Sequence, residues 1–142
     1  MYQFSSRSFL FLLALCAAAM MAMGACTNTP TVPTTTPGTP VTDTYSGTLS
    51  KSGAFTHSFT ITTLGTITAT IVSLAPVSTQ IVGLQLGVWN GTSCTAASSI
   101  DTATTGSSIT LNASSAGVLC VRLYDVGFIT DPVLYELTVV HP

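Results

Sequence analysis

The residues of this chain best suited to chemistry are its four cysteines, Cys16, Cys26, Cys94 and Cys120. A thiol can be acylated, can ligate a metal ion or can pair with a second thiol. Cys16 lies inside an apolar amino-terminal segment and Cys26 lies where that segment ends. Because this segment resembles an export signal, and leftover cysteines of exported proteins usually pair, we predict a Cys94–Cys120 disulfide on a sheet surface.

Metal binding and catalysis have few candidate residues. The chain has two histidines, His57 and His141, and no Cys-x-x-Cys or His-x-x-x-His spacing, so we expect no metal site. His57 alternates with phenylalanines, which favours a half-buried strand residue over a member of a hydrolytic triad. The carboxylates expected in turns or on solvated strand faces are Asp101, Asp125, Asp131 and Glu136. We therefore predict a protein that is not an enzyme and that needs no cofactor.

One loop carries two carboxylates that could flank a cation. Asp125 and Asp131 flank the segment "DVGFITD" and both carry oxygen ligands. The segment lacks the regular ligand spacing of known calcium loops, so a weak calcium site stays the alternative to two solvated carboxylates. The net charge of −2 and the absence of any basic cluster argue against nucleic acid as a partner.

Residues 1–25 have the layout of a secretory signal sequence. A short polar start that carries Arg7 precedes the apolar run "FLFLLALCAAAMMAM", which covers residues 9–23, and small residues follow. An apolar helix needs about 20 residues to cross the hydrocarbon core of a membrane. The shorter run therefore favours cleavage of this segment over a permanent transmembrane anchor made from it.

The sequence Met23-Gly24-Ala25-Cys26 resembles the lipobox of bacterial lipoproteins, in which an aliphatic residue and two small residues precede an invariant cysteine. The resemblance implies cleavage before Cys26 and acylation of its thiol and of its new amine. More than one acyl chain gives stable membrane anchoring. Met23 replaces the leucine usual in this motif. Ordinary cleavage near Ala22-Met23-Gly24, with Cys26 left as a free or disulfide-bonded thiol, is the alternative.

Residues 26–43 then form a threonine- and proline-rich tract with almost no charge. Proline fixes φ, removes backbone donors and favours the extended polyproline II conformation, which rises about 3 Å per residue. Such a tract has no apolar face to bury. We predict a disordered, semi-rigid linker that holds a folded module, residues 44–142, away from a membrane.

The pattern of the module is that of an all-β protein. The segments "AFTHSFTIT" and "TITATIVSL" alternate apolar and hydroxylated residues with a period of two, and none of the module reads as a helix. "LQLGVW" places Leu84, Leu86 and Val88 on the inward face and ends at the tight-turn pair Asn90-Gly91. Seven or eight short antiparallel strands fill about a hundred residues, which predicts a β-sandwich.

The order of these segments resembles the bacterial pre-peptidase C-terminal domain, a jelly-roll-like β-sandwich of secreted proteases and other exported proteins. The resemblance covers Thr44 to Val140. The residues that carry it are Gly47 in the first strand, Phe59 and Ile61 in the next, Gly117 to Leu123 with Arg122, and the final Tyr135, Leu137 and Val139. Some members bind calcium through an acidic cluster near the first strand, of which only Asp43 is present here.

The aromatic residues offer a candidate site for an organic ligand. Trp89, the only tryptophan, is expected near the rim of the sandwich beside the Asn90-Gly91 turn and the disulfide. Its ring either packs under a loop or forms an exposed stacking platform, with Tyr124 and Tyr45 as companions. The predicted protein is thus an exported, non-catalytic lipoprotein of the cell envelope with a structural or adhesive role. A module that binds envelope polysaccharide or protein is the alternative.

Overall fold

The computed structural model describes residues 38–142, which form an all-β sandwich of eight antiparallel strands and contain no helix. The predicted leader, Cys26 and most of the predicted linker lie outside the described residues. The strands are β1 (Val41–Leu49), β2 (Ala54–Ile61), β3 (Gly65–Ala75), β4 (Val82–Trp89), β5 (Cys94–Ala103), β6 (Ser108–Ala113), β7 (Gly117–Tyr124) and β8 (Val133–His141). The predicted fold class is confirmed.

The strands form two four-stranded sheets. Sheet 1 has the order β1-β8-β3-β6, and sheet 2 has the order β2-β7-β4-β5. Apart from the β4–β5 hairpin, every connection carries the chain from one sheet to the other. Eight antiparallel strands wound between two sheets in this way form a jelly roll, in agreement with the jelly-roll-like sandwich that the sequence predicts.

Period-two alternation places the core between the sheets. The core-facing buried side chains of β8 are every second residue from Val133 to His141, and those of β7 are Leu119, Val121 and Leu123. Each large aliphatic side chain buried here stabilises the fold by about 1.5–3 kcal/mol. The largest fully buried side chains are Leu49, Ile61, Ile67, Ile71, Leu84, Leu86, Leu123, Ile129 and Leu137.

The exposure of one residue and the start of one strand differ from the sequence prediction. Val88, predicted to face inward, is 53% exposed because it lies next to the end of β4, where the chain leaves the sandwich. Strand β1 begins at Val41, inside the last three residues of the predicted linker, because Val41 pairs with His141 at the end of β8. The ladder with β8 satisfies the backbone groups of this segment, a long-range contact that linker composition does not reveal.

Candidate functional site

The predicted disulfide is present and lies on the outer face of sheet 2. It joins Cys94, the first residue of β5, to Cys120 of β7, with 5.8 Å between the two Cα atoms. Strand β4 lies between β5 and β7, and the bridge crosses it beside Gly87, which pairs with Cys120. A Cβ atom on Gly87 would lie 1.9 Å from the carbonyl oxygen of Thr95. Glycine at this position therefore lets β5 fold over β4 so that the cysteines meet.

The turn between β4 and β5 is fixed by one side chain. Asn90 Oδ1 accepts hydrogen bonds from the backbone N–H groups of Thr92 and Ser93, at 2.9 and 2.8 Å. Asn90 Nδ2 donates to the Ser93 hydroxyl at 3.0 Å, and Gly91 adopts a φ of 95° that glycine tolerates best. The Ser93 hydroxyl and the backbone of Thr92 are consequently held in defined positions next to Cys94.

A cleft of about 330 Å³ opens between this turn and the neighbouring strands. Trp89 is half-buried at its side. Thr56 enters from β2 and Arg122 from β7, where the two residues are direct cross-strand partners. The lining residues are Thr56, Trp89, Thr92, Ser93, Cys94 and Arg122. The cleft combines an indole ring, hydroxyl groups and a guanidinium group.

A buried amide supports the cleft from below. Gln85, the cross-strand partner of Arg122, is only 7% exposed although its side chain points away from the core. Gln85 Nε2 donates a 3.0 Å hydrogen bond to the backbone carbonyl of Cys94. This bond fixes the start of β5 against β4, and it is compatible with burial because the amide has a partner.

Tyr124 lies beside the cleft rather than in it. Its ring covers Gly83 of β4, where a Cβ atom would lie 2.3 Å from the ring. Its hydroxyl donates to Asp101 of β5, and the guanidinium carbon of Arg122 lies 5.2 Å from the ring centroid. Burial, followed by the hydrogen bond to Asp101 and its negative charge, raises the pKa of Tyr124 to about 12, and the Arg122 charge opposes this only in part.

Tyr45, predicted as a further companion of Trp89, is not brought to this surface. It lies on the inward side of β1 in sheet 1, and its ring stacks on His57 of β2 with 4.4 Å between centroids. Its hydroxyl donates to Asp43 at 3.3 Å. Burial, then the charge of Asp43 and this hydrogen bond, raises the pKa of Tyr45 to about 12. The sequence could not show this because strand alternation does not tell which sheet a strand joins.

The two histidines lie at the same edge of the sandwich, between β1, β2 and β8. His57 is half-buried, as predicted, and its Nε2 lies 2.9 Å from the Tyr135 hydroxyl. His141 is 6% exposed, with Nε2 3.2 Å from Asp43 Oδ2 and Nδ1 3.3 Å from the carbonyl oxygen of Pro142. Burial lowers the pKa of His57.

Three of the four histidine ring nitrogens have polar neighbours among the described residues. Both ring nitrogens of His141 have polar neighbours, and neither neighbour is a serine, threonine or cysteine nucleophile. Sequence reasoning missed the Asp43–His141 pair, since the two residues are 98 positions apart and only the β1–β8 register brings them together. Within residues 38–142, no group of three or more His, Cys, Asp or Glu side chains is placed to hold a metal ion.

Asp125 organises the loop between β7 and β8. Its Oδ1 accepts hydrogen bonds from the backbone N–H groups of Gly127, Phe128 and Ile129, at 2.7 to 3.1 Å, and its Oδ2 accepts one from Ser52 at 2.8 Å. Burial raises the pKa of Asp125, but the four N–H donors outweigh burial and bring the pKa below its ordinary value. The carboxylate is thus used as a loop anchor by the protein itself.

No family model matches the chain, and no curated protein matches it either. The lipobox and the likeness to the pre-peptidase C-terminal domain therefore stay predictions from the sequence motifs. Residues 38–142 contain no helix long and apolar enough to span a membrane.

Proposed function

We propose that the chain is a non-catalytic lipoprotein of the cell envelope whose β-sandwich acts as an adhesive module by binding extracellular carbohydrate. The cleft beside Trp89 is the observation that carries this proposal. An indole ring offers a flat apolar surface with one N–H donor, and the hydroxyls of Thr56, Thr92 and Ser93 match the hydroxyl groups of a sugar. A volume of about 330 Å³ is at the lower end of the range for small-molecule sites, roughly 300–1,000 Å³.

The rigidity of the cleft supports binding over a purely structural role. The disulfide, the Asn90 hydrogen bonds and the Gln85 bond to Cys94 all fix groups that line the cleft. Fixed groups lose little conformational freedom when a ligand binds, so more of the interaction energy appears as affinity. A structural spacer needs no such reinforcement around one tryptophan.

Binding of the full chain to envelope polysaccharides tests this role. The wild type should be retained on at least one immobilised polysaccharide. Trp89→Ala should weaken retention by about fivefold or more, because loss of the indole surface removes about 1 kcal/mol or more of contact energy. Phe128→Ala is the matched control, since Phe128 is an aromatic residue 60% exposed outside the cleft. Absence of binding to every polysaccharide, with capture of a protein instead, would favour the protein-binding alternative.

The membrane attachment has its own test, because it depends on residues outside the described part of the chain. The mature protein should begin at Cys26 and partition into detergent, since acylated cysteine carries apolar chains. Cys26→Ser should leave an unprocessed precursor of altered electrophoretic mobility. A mature protein that starts at Ala25, or that retains its leader with an unmodified thiol, contradicts the lipoprotein assignment and leaves the carbohydrate proposal standing.

A further inference from the structure

From the chemistry of the cleft we infer that its ligand is an acidic saccharide, in which a uronic-acid carboxylate binds Arg122 while the sugar ring packs against Trp89. This inference rests on the proposed carbohydrate-binding function and names the class of sugar. It depends on the state of the Arg122 guanidinium, on the charges around it and on the groups that flank it.

The guanidinium of Arg122 has unused donors. It carries five N–H groups in a planar fork that matches the two oxygens of a carboxylate. Within residues 38–142 the one ion pair is His141 with Asp43, so no carboxylate lies close enough to neutralise Arg122. The guanidinium carbon lies 5.2 Å from the centroid of the Tyr124 ring, a cation–π contact and not a hydrogen bond to a carboxylate oxygen.

The charge distribution makes this position unusual. The described part of the chain contains two Lys or Arg residues, Lys51 and Arg122, against five carboxylates. None of the six residues that line the cleft is acidic. The nearby Asp101 is not among them, and its carboxylate accepts a hydrogen bond from the Tyr124 hydroxyl. A cleft that holds a cation and no carboxylate complements an anionic ligand, although the whole protein is acidic.

The flanking groups favour a sugar acid over a small inorganic anion. Trp89 lines the same cleft and offers an apolar surface that a phosphate or sulfate ion does not use. The Ser93 hydroxyl already accepts a hydrogen bond from Asn90, so its proton is free to donate to a ligand oxygen. Together these groups bind a carboxylate, a ring and hydroxyls at once, which is the combination that a uronic acid presents.

A titration of the full chain, purified in detergent, separates this inference from the proposed function. The probes are trigalacturonate and its fully methyl-esterified form, which share the sugar skeleton and differ in charge. The intrinsic fluorescence of Trp89 reports binding directly, because this is the only tryptophan of the chain. Arg122→Gln is compared with Lys51→Gln, which removes the same charge from the turn between β1 and β2. Circular dichroism of both variants verifies that they fold.

We expect the acid to bind about tenfold or more tightly than its ester, because charge-assisted hydrogen bonds exceed neutral ones. Arg122→Gln should abolish this preference while retaining weak binding of the ester, and Lys51→Gln should change neither. Equal affinity for acid and ester overturns the acidic-sugar inference but leaves carbohydrate binding intact. If Arg122→Gln and Lys51→Gln lose the preference for the acid equally, the inference is also overturned. The preference would then come from general attraction between the anionic probe and any positive charge of the protein. If neither probe binds, the acidic-sugar inference fails. If the protein also fails to bind neutral polysaccharides, the proposed carbohydrate-binding function fails as well.

Discussion

The outer faces of the two sheets are built from the same strand alternation, yet they differ in what covers them. On sheet 1 the outward residues are mainly hydroxylated and remain at the surface, among them Thr42, Thr44, Thr66, Ser108 and Thr110. On sheet 2 the outward positions of β4 are Gly83, Gln85 and Gly87, and all three are buried. Strand β4 is buried on both faces from Val82 to Gly87, although it belongs to a two-layer sandwich.

This difference between the two outer faces explains how a cleft can form on the outer face of a sheet. The threonine side chains on sheet 1 fill their own positions and stay exposed. Glycines on β4 instead leave room for neighbours, so the Tyr124 ring covers Gly83 and the start of β5 crosses Gly87. The side chains that crowd onto β4 fix one another, and the cleft forms at their border. The predictions that follow test this contrast, beginning with the largest effect.

Removal of the disulfide should affect stability most. The double variant Cys94→Ser, Cys120→Ser lacks a cross-link that spans 26 positions, and loop entropy predicts a loss of about 3.5 kcal/mol in the free energy of unfolding. Chemical denaturation of the full chain, with and without reductant, measures it. Reductant should destabilise the wild type and leave the variant unchanged. We call the outer face of sheet 2, where Gly83, Gln85 and Gly87 are buried, the covered face. A variant as stable as the wild type would show that packing on the covered face does not depend on the bridge.

The fold and this bridge were largely accessible from the sequence, whereas the composition of the site was not. Period-two alternation and turn signals predict seven or eight strands, of which the structure has eight, and the export signal together with the cysteine count predicts the disulfide. Neither gives the strand order, and only the order places Tyr45 inside and Arg122 beside Trp89. The signal that could have found the cleft is the sequence "GLQLG", because two glycines flanking an outward glutamine on a central strand indicate that something covers them.

Gly87→Ala should have the next largest effect, with Gly83→Ala as its matched control. A Cβ atom at Gly87 meets backbone of β5, at 1.9 Å from the Thr95 carbonyl oxygen, so two strands must separate. A Cβ atom at Gly83 meets the Tyr124 ring, which can rotate away at the cost of its bond to Asp101. Overpacking predicts a loss of about 3 kcal/mol for the first change and about 1 kcal/mol for the second. Thermal unfolding of both variants tests this order, and equal losses would contradict it.

Loss of one buried hydrogen bond on the covered face should lower the free energy of unfolding by less than Gly87→Ala does. Gln85→Met keeps the volume of the side chain and removes the donor to the Cys94 carbonyl, for an expected loss of about 1–2 kcal/mol. Thr70→Val on sheet 1 removes the 2.8 Å hydroxyl contact with Ser108 and should stay within about 0.5 kcal/mol of the wild type. Denaturant midpoints of both variants give the comparison. If the Thr70 variant loses as much as the Gln85 variant, the two faces do not differ as described.

The smallest effect should come from acid, which acts at the edge that both sheets share. Burial lowers the pKa of His57, so around pH 6 the unfolded chain binds more protons at this residue than the folded protein does. Stability should therefore fall as the pH is lowered from about 7 through the ordinary histidine value near 6.5, until the lower folded-state pKa is passed.

Comparison of wild type with His57→Gln isolates this slope. The contribution of His57 begins to be lost below about pH 7, whereas that of Asp125, whose pKa is lowered by backbone donors, begins to be lost only below about pH 4. His57→Gln should flatten the dependence between pH 7 and 5 while leaving the acid limb unchanged, measured as denaturant midpoints. Because His57 lies between the sheets, stacked on Tyr45 and bonded to Tyr135, the Gln85→Met and Thr70→Val variants should both retain the wild-type slope. A slope altered by either outer-face variant would mean that the covered face and the interior titrate together, and the two faces could then not be compared as independent surfaces.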